Sequence, residues 1–254
     1  MARPRIYKTE GVVLRQMPLG EADRLLTMFS PDLGKLRVVA RGVRRAKSKL
    51  AGHTEQLTRV RISVAVGRNL DALSEAETID SFRRLKEDLG HVSQALYLAE
   101  LVDGFTVEQS PNPGAYRLLL DALSALDADR PTGFLLRHFE LGLLRRSGFG
   151  PELRQCVACG RGLEPEDHML TCAGGGALCR ECRPTATDPL LRVSLPNMKL
   201  LRFLQRASLD QALELTASRE LSAESERVMS AYVRHVLERE TKSAAFLKLV
   251  ASGG

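Results

Sequence analysis

From Ile6 to Ile79 apolar and polar residues alternate in short runs separated by turn residues, the period of strands with one buried face. Ile6 to Arg15 is the first predicted strand, ahead of a turn at Pro18-Leu19-Gly20-Glu21. Leu25 to Ser30 is the second, closed by Pro31-Asp32-Leu33-Gly34. Lys35 to Arg41 is the third, with Lys35, Arg37 and Arg41 on the face opposite Leu36, Val38 and Ala40. Thr58 to Val66 sets Arg59 and Arg61 against Val60 and Ile62, and Leu70 to Ile79 gives a fifth strand. Five short strands in about 75 residues predict a small barrel, with an OB-type barrel the natural candidate among nucleic-acid binders.

At Ser81 the period changes. Leu85, Leu89, Val92, Leu96, Ala99, Val102 and Phe105 follow helical spacing to about Val107, where Ser110-Pro111-Asn112-Pro113-Gly114 stops the helix. Ala115 to Leu126 predicts a second helix. A third begins after Arg130-Pro131-Thr132-Gly133 and runs to Ser147-Gly148-Phe149-Gly150-Pro151, a glycine-containing stop. Pro196 to Arg206, Leu209 to Leu215 and Ala223 to Glu240 read as further helices whose apolar stripes belong to a core, and Ala251 to Gly254 is expected to fray. The expected division is a barrel over 1–80, helices over 81–150, a cysteine module over 151–190 and helices again over 191–254.

Charge sharpens this picture. Residues 1–70 hold 15 Lys+Arg against 5 Asp+Glu, whereas the remainder holds 22 against 26. The excess centres on Gly34 to Lys49, where Lys35, Arg37, Arg41, Arg44, Arg45, Lys47 and Lys49 occur without one acid. A positive field confined to one small domain is the footprint of a phosphate-backbone binder. A solubilising tail would lack the interleaved Val and Leu. The barrel region has only Tyr7 and Phe29 as aromatics, so phosphate contact should outweigh base stacking.

Five cysteines suit a disulfide framework poorly, and four of them form two knuckles. Cys156-Val157-Ala158-Cys159 and Cys179-Arg180-Glu181-Cys182 stand nineteen residues apart, a spacing that brings four thiolates to the corners of one zinc tetrahedron. Four sulfur ligands leave no open position, so the expected ion is structural. Cys172 is spare, and His168, the only rival ligand in that loop, reads as a surface histidine.

No apolar run approaches the ~20 residues that span a bilayer, and the basic Met1 to Arg5 leads into a strand and not a signal core. A cytoplasmic location without membrane partners is expected. There is no phosphate-binding P-loop, no nucleophile elbow, no His-Glu-x-x-His and no dinucleotide fingerprint. Glu21 and Asp23 could be imagined as a nuclease metal pair, but two carboxylates in a turn read as turn and cap residues.

Thr9-Glu10-Gly11-Val12-Val13-Leu14, Leu19-Gly20-Glu21-Ala22-Asp23-Arg24, Gly34-Lys35 and Ala40-Arg41-Gly42-Val43-Arg44-Arg45 together resemble the N-terminal signature of the bacterial RecO family of recombination mediators. The likeness continues at Phe139-Glu140-Leu141, Gly148-Phe149, Pro151, Leu153, the Cys156 knuckle and Lys242 to Leu247. The resemblance implies an α+β multidomain chain: an N-terminal OB-fold, an OB-type β-barrel, and an all-α helical domain carrying an inserted four-cysteine zinc module. It further implies a nucleoid-associated, non-catalytic protein that binds single- and double-stranded DNA and anneals complementary strands without ATP. With RecR it would help RecA load onto strands covered by single-strand-binding protein, whose acidic, Phe-ending tail docks on the helical domain. Lys35, Arg37, Arg41, Arg44, Arg45, Lys47 and Lys49, extended by Arg59 and Arg61, are the expected phosphate contacts. The rival expectation is a zinc-stapled adaptor whose basic barrel takes an acidic protein partner.

Overall fold

The computed structural model describes residues 6–130 and 132–238. Its first five strands are β1 (Ile6–Leu19), β2 (Asp23–Ser30), β3 (Gly34–Ala40), β4 (Arg59–Ala65) and β5 (Asp71–Asp80), closed in the order β1-β2-β3-β5-β4. The parallel β3–β5 pairing, through Val38↔Asp71 and Val39↔Ala72, completes an OB-type barrel. β1 serves both sides: its first half pairs with β4 and its second with β2, and a register shift between Val13 and Arg15 bends the strand between them. β1 runs beyond its expected end at Arg15: Pro18 pairs with Arg24 and Leu19 with Asp23, so the turn is confined to residues 20–22. Alternate residues fill the interior, with Val13, Leu26, Met28, Val38, Ala40, Val60, Ile62, Val64 and Leu73 packed as one cluster.

Three helices follow, α1 (Arg83–Glu87), α2 (Leu89–Phe105) and α3 (Pro113–Asp127), and they form one compact unit with the barrel up to Asp129. The single helix expected from Ser81 to Val107 is thus two. Asp88 adopts an extended backbone and its carboxylate accepts from the His91 N–H at 2.7 Å, an N-cap that starts α2 afresh. α2 and α3 lie against β1 and β2, and Phe29 on the outer face of β2 meets Tyr116 with ring centroids 6.1 Å apart.

The second unit, from Arg130, holds α4 (Leu135–Arg146), α5 (Leu195–Leu204), α6 (Leu209–Glu214) and α7 (Arg219–Leu237). Between α4 and α5 lies a three-stranded sheet of order β7-β6-β8, built from β6 (His168–Thr171), β7 (Gly176–Leu178) and β8 (Leu190–Val193). The Tyr232 hydroxyl donates to the Phe149 carbonyl at 3.0 Å and fastens α7 to the chain leaving α4. Glu224 accepts from both the backbone and the hydroxyl of Ser194, the α5 N-cap. The expected features at Met1 to Arg5, Glu240, Lys242 to Leu247 and Ala251 to Gly254 lie outside the described residues. No helix among the described residues is long and apolar enough to cross a membrane.

Candidate nucleic-acid interface and metal centre

The basic stretch divides at the end of β3. Lys35 is buried at 9% exposure, and its Nζ donates to the carbonyl oxygen of Asp103 at 2.5 Å and to its Oδ1 at 3.2 Å. Beside it, the chain leaving α2 runs along the strand: the Gln109 N–H donates to the Lys35 carbonyl at 3.0 Å. Gly34 permits this approach, since at φ +69° a Cβ there would sit 2.2 Å from the Ser110 carbonyl oxygen. Arg37 pairs with Glu108 at 2.6 Å. Arg59 pairs with Glu10 at 2.8 Å, and Tyr116 donates to the same carboxylate. Burial, together with the Glu10 charge, pushes the Tyr116 phenol well above its ordinary range. Arg61 pairs with Glu77 at 3.1 Å. These four cations alternate out of the barrel interior as the period predicts, but each already has an acidic partner. The expectation of a free phosphate ligand is corrected at Lys35, which is a structural lysine.

Past Ala40 the picture reverses. Arg41, Arg44, Arg45, Lys47 and Lys49 are exposed, and none has an acidic group within 4.0 Å among the described residues. Their loop is nevertheless anchored. The Gly42 N–H donates to Asp23 Oδ1 at 2.7 Å, the Arg44 N–H to the Ala22 carbonyl at 2.9 Å, and Arg44 Nη1 to the Gly20 carbonyl at 3.2 Å. Asp23 is therefore a brace between the β1–β2 turn and the basic loop. Its carboxylate is committed to backbone, which suits the turn reading. Arg15, Arg24 and Arg68 are further cations of this unit outside the basic run; Arg68 is exposed in the β4–β5 turn.

The second unit collects the four knuckle cysteines. Cys156, Cys159, Cys179 and Cys182 bring their Sγ atoms within 4.8 Å of one another. Cys159 and Cys179 Sγ are 3.8 Å apart, which matches the edge of about 3.8 Å for a tetrahedron of thiolates about 2.3 Å from a central ion. Each knuckle turns tightly: Gly160 N–H donates to the Cys156 carbonyl, and Cys182 N–H to the Cys179 carbonyl. Arg161 and Glu181 form an ion pair across the two knuckles. Burial works to raise the Cys156 thiol, but backbone N–H groups of Cys179, Cys159 and Ala158 hold it at about 6. Donating its S–H to the Cys179 and Cys159 sulfurs pushes the Cys182 thiol up to about 12.

Cys172 stands apart from this set, half-buried, with burial and the nearby Asp188 charge pushing its thiol up. His168 is not at the surface as expected: it is 1% exposed, with Nδ1 3.3 Å from the Leu178 carbonyl and Nε2 2.8 Å from the Glu164 carbonyl. It pins the knuckle loop to β7 and is no ligand. A basic cluster in this unit also escaped the reading from sequence. Arg154, Lys199, Arg202 and Arg206 line a cavity of about 440 Å³ beside Phe203, which is 43% exposed. Its signal is the helical spacing of Lys199, Arg202 and Arg206, masked by the apolar stripe of α5.

A family model described as Recombination protein O N terminal matches residues 1–82, and one described as Recombination protein O C terminal matches residues 86–245. The chain belongs to the recombination protein O family. The chain is 43% identical over 246 residues to "DNA repair protein RecO" of Roseiflexus sp. (strain RS-1), covering 96% of this chain and 86% of that one. Relatives of the same name from Dehalococcoides mccartyi (strain CBDB1) and Symbiobacterium thermophilum are each 36% identical over 97% of this chain, covering 97% and 98% of theirs. Within this recombination protein O chain, α1 to α3 fall largely in the C-terminal match yet pack with the barrel.

Proposed function

We propose that this chain is a non-catalytic DNA repair and recombination mediator that binds single- and double-stranded DNA through the barrel's basic loop. It anneals complementary strands without ATP and, with RecR, helps RecA load onto strands covered by single-strand-binding protein, as in the RecF pathway. The observation that carries this reading is the loop of five exposed cations without acidic partners, braced on the β1–β2 turn. Fixed cations beside two phosphate chains lower their mutual repulsion, a route to annealing that needs no hydrolysis. Phosphate contact carries no base code, so binding is sequence-tolerant. Neutralising about five phosphates predicts a log–log salt slope of about −3.5 on single strands. Reversing Arg44, Arg45 and Lys47 together to Glu should abolish binding at low salt and leave the melting temperature unchanged. A triple variant that binds and anneals normally overturns the assignment, and a wild-type chain that does neither leaves the zinc-stapled adaptor as the better description.

The cysteine centre holds one structural zinc in this reading, supported by the all-sulfur donor set and its tetrahedral edge. Metal analysis should return one zinc per chain. A strong chelator should release it, make four further thiols reactive and lower the melting temperature of the second unit. Iron in place of zinc, or four thiols reactive from the outset, would count against it.

The cluster of Arg154, Lys199, Arg202 and Arg206 beside Phe203 has the chemistry to take the acidic, Phe-ending tail of single-strand-binding protein. Lys199→Glu with Arg206→Glu should weaken a fluorescent tail peptide at least about tenfold while DNA binding by the barrel persists. Unchanged peptide affinity moves the tail elsewhere.

A further inference from the structure

Single-strand binders commonly give the bases something to lie against, most often aromatic rings. Neither aromatic of the barrel strands is available for this. Phe29 is 0% exposed against Tyr116, and the half-buried Tyr7 donates to Asp71 at 3.0 Å. The outer face of β1 and β2 instead carries aliphatic side chains. Register places Met17 opposite Leu25, Leu19 opposite Asp23 and Arg15 opposite Thr27, with Leu25 in turn opposite Val39 and Thr27 opposite Arg37. Met17 is 45% exposed and Leu19 40%, two residues apart on one face, with half-buried Leu25 beside them. Arg15 and Arg37 lie in the next row along the strands, paired with Asp103 and Glu108, and the free cations of the basic loop are tied to Gly20 and Ala22, directly after Leu19. An open apolar strip thus runs from paired cations on the strands to free ones on the loop. Asp23, at the end of the strip opposite Leu19, is hydrogen-bonded to Gly42.

We propose that Met17, Leu19 and Leu25 are the base platform of this barrel, taking the unstacked bases of a single strand whose phosphates lie on the free cations of the basic loop. This rests on the DNA-binding reading above and adds the residues that meet the bases. Aliphatic side chains pack against any base face without a hydrogen-bond code, so the platform is sequence-tolerant. They also lack the ring stacking that holds bases most firmly, so bound bases stay exchangeable for pairing, which annealing requires.

The test compares three ligands on the full chain: a thymidine single strand, an abasic strand with equal phosphates, and a duplex. The wild type should prefer the base-bearing strand over the abasic one by about fivefold to tenfold. Met17→Ser with Leu19→Ser should bring that ratio to about 1 while duplex affinity and melting temperature hold, because duplex bases are stacked out of reach. A wild-type ratio of one overturns the platform, as does a variant that keeps the preference. A wild type that binds none of the three at low salt overturns the DNA-binding reading itself, a separate outcome.

Discussion

Two halves of one basic run, seven residues from Lys35 to Arg41 and eight from Gly42 to Lys49, differ in what their charges are doing. On the strand, Lys35 and Arg37 each have an acidic partner on the chain that leaves or forms α2. On the loop, Arg44, Arg45, Lys47 and Lys49 have none among the described residues, and Arg41 at the junction belongs with them. Equal composition therefore does not mean equal availability. A cation that already neutralises a carboxylate releases few counterions when a phosphate arrives, so the loop should dominate the salt dependence. The largest effect on DNA is then the loss of binding in the Arg44, Arg45 and Lys47 triple reversal.

Next in size is Lys35→Met, whose effect falls on stability and not on DNA. It removes the ammonium from the largely buried Asp103, leaving Arg15 at 3.9 Å as the remaining cation there. A loss of about 2 kcal/mol in denaturant unfolding is expected, with the salt slope of DNA binding unchanged. A slope reduced by about 1 with stability intact would put Lys35 at the interface and erase the distinction between the halves.

This division marks where the sequence was legible. Alternation along Lys35 to Arg41 told which side chains share a face, and the barrel strands follow that pattern closely, but it could not name their order. It could not tell what covers the face, because Phe29, Lys35 and Thr27 point away from the barrel interior but are buried under elements sixty or more residues away. The cysteines were legible for the opposite reason: thiolate coordination demands a local spacing that no remote packing alters. His168 was misread because strands of three and four residues are too short to display a period, so the sheet that buries it left no trace in the pattern. The break at Asp88 hid behind Leu85, Leu89 and Val92, whose spacing suits one helix, until the aspartate cap restarted it.

The smallest effect should come from the pair that straddles the two classes. Arg37 and Glu108 are 2.6 Å apart, yet their side chains are 49% and 45% exposed, so the bond is solvent-screened and contributes about 0.5 kcal/mol or less to stability. Glu108→Gln keeps the shape and removes the competing charge. Arg37 then joins the free set, so single-strand affinity at low salt should rise about twofold to threefold and the log–log slope should steepen by about 0.7, one phosphate's worth. Stability should hold to within the error of a denaturant titration. A steeper slope would show that the strand's charges lie within reach of the DNA path and are merely masked. An unchanged slope would confine the path to the loop, and with it the advantage of keeping that loop free of acids.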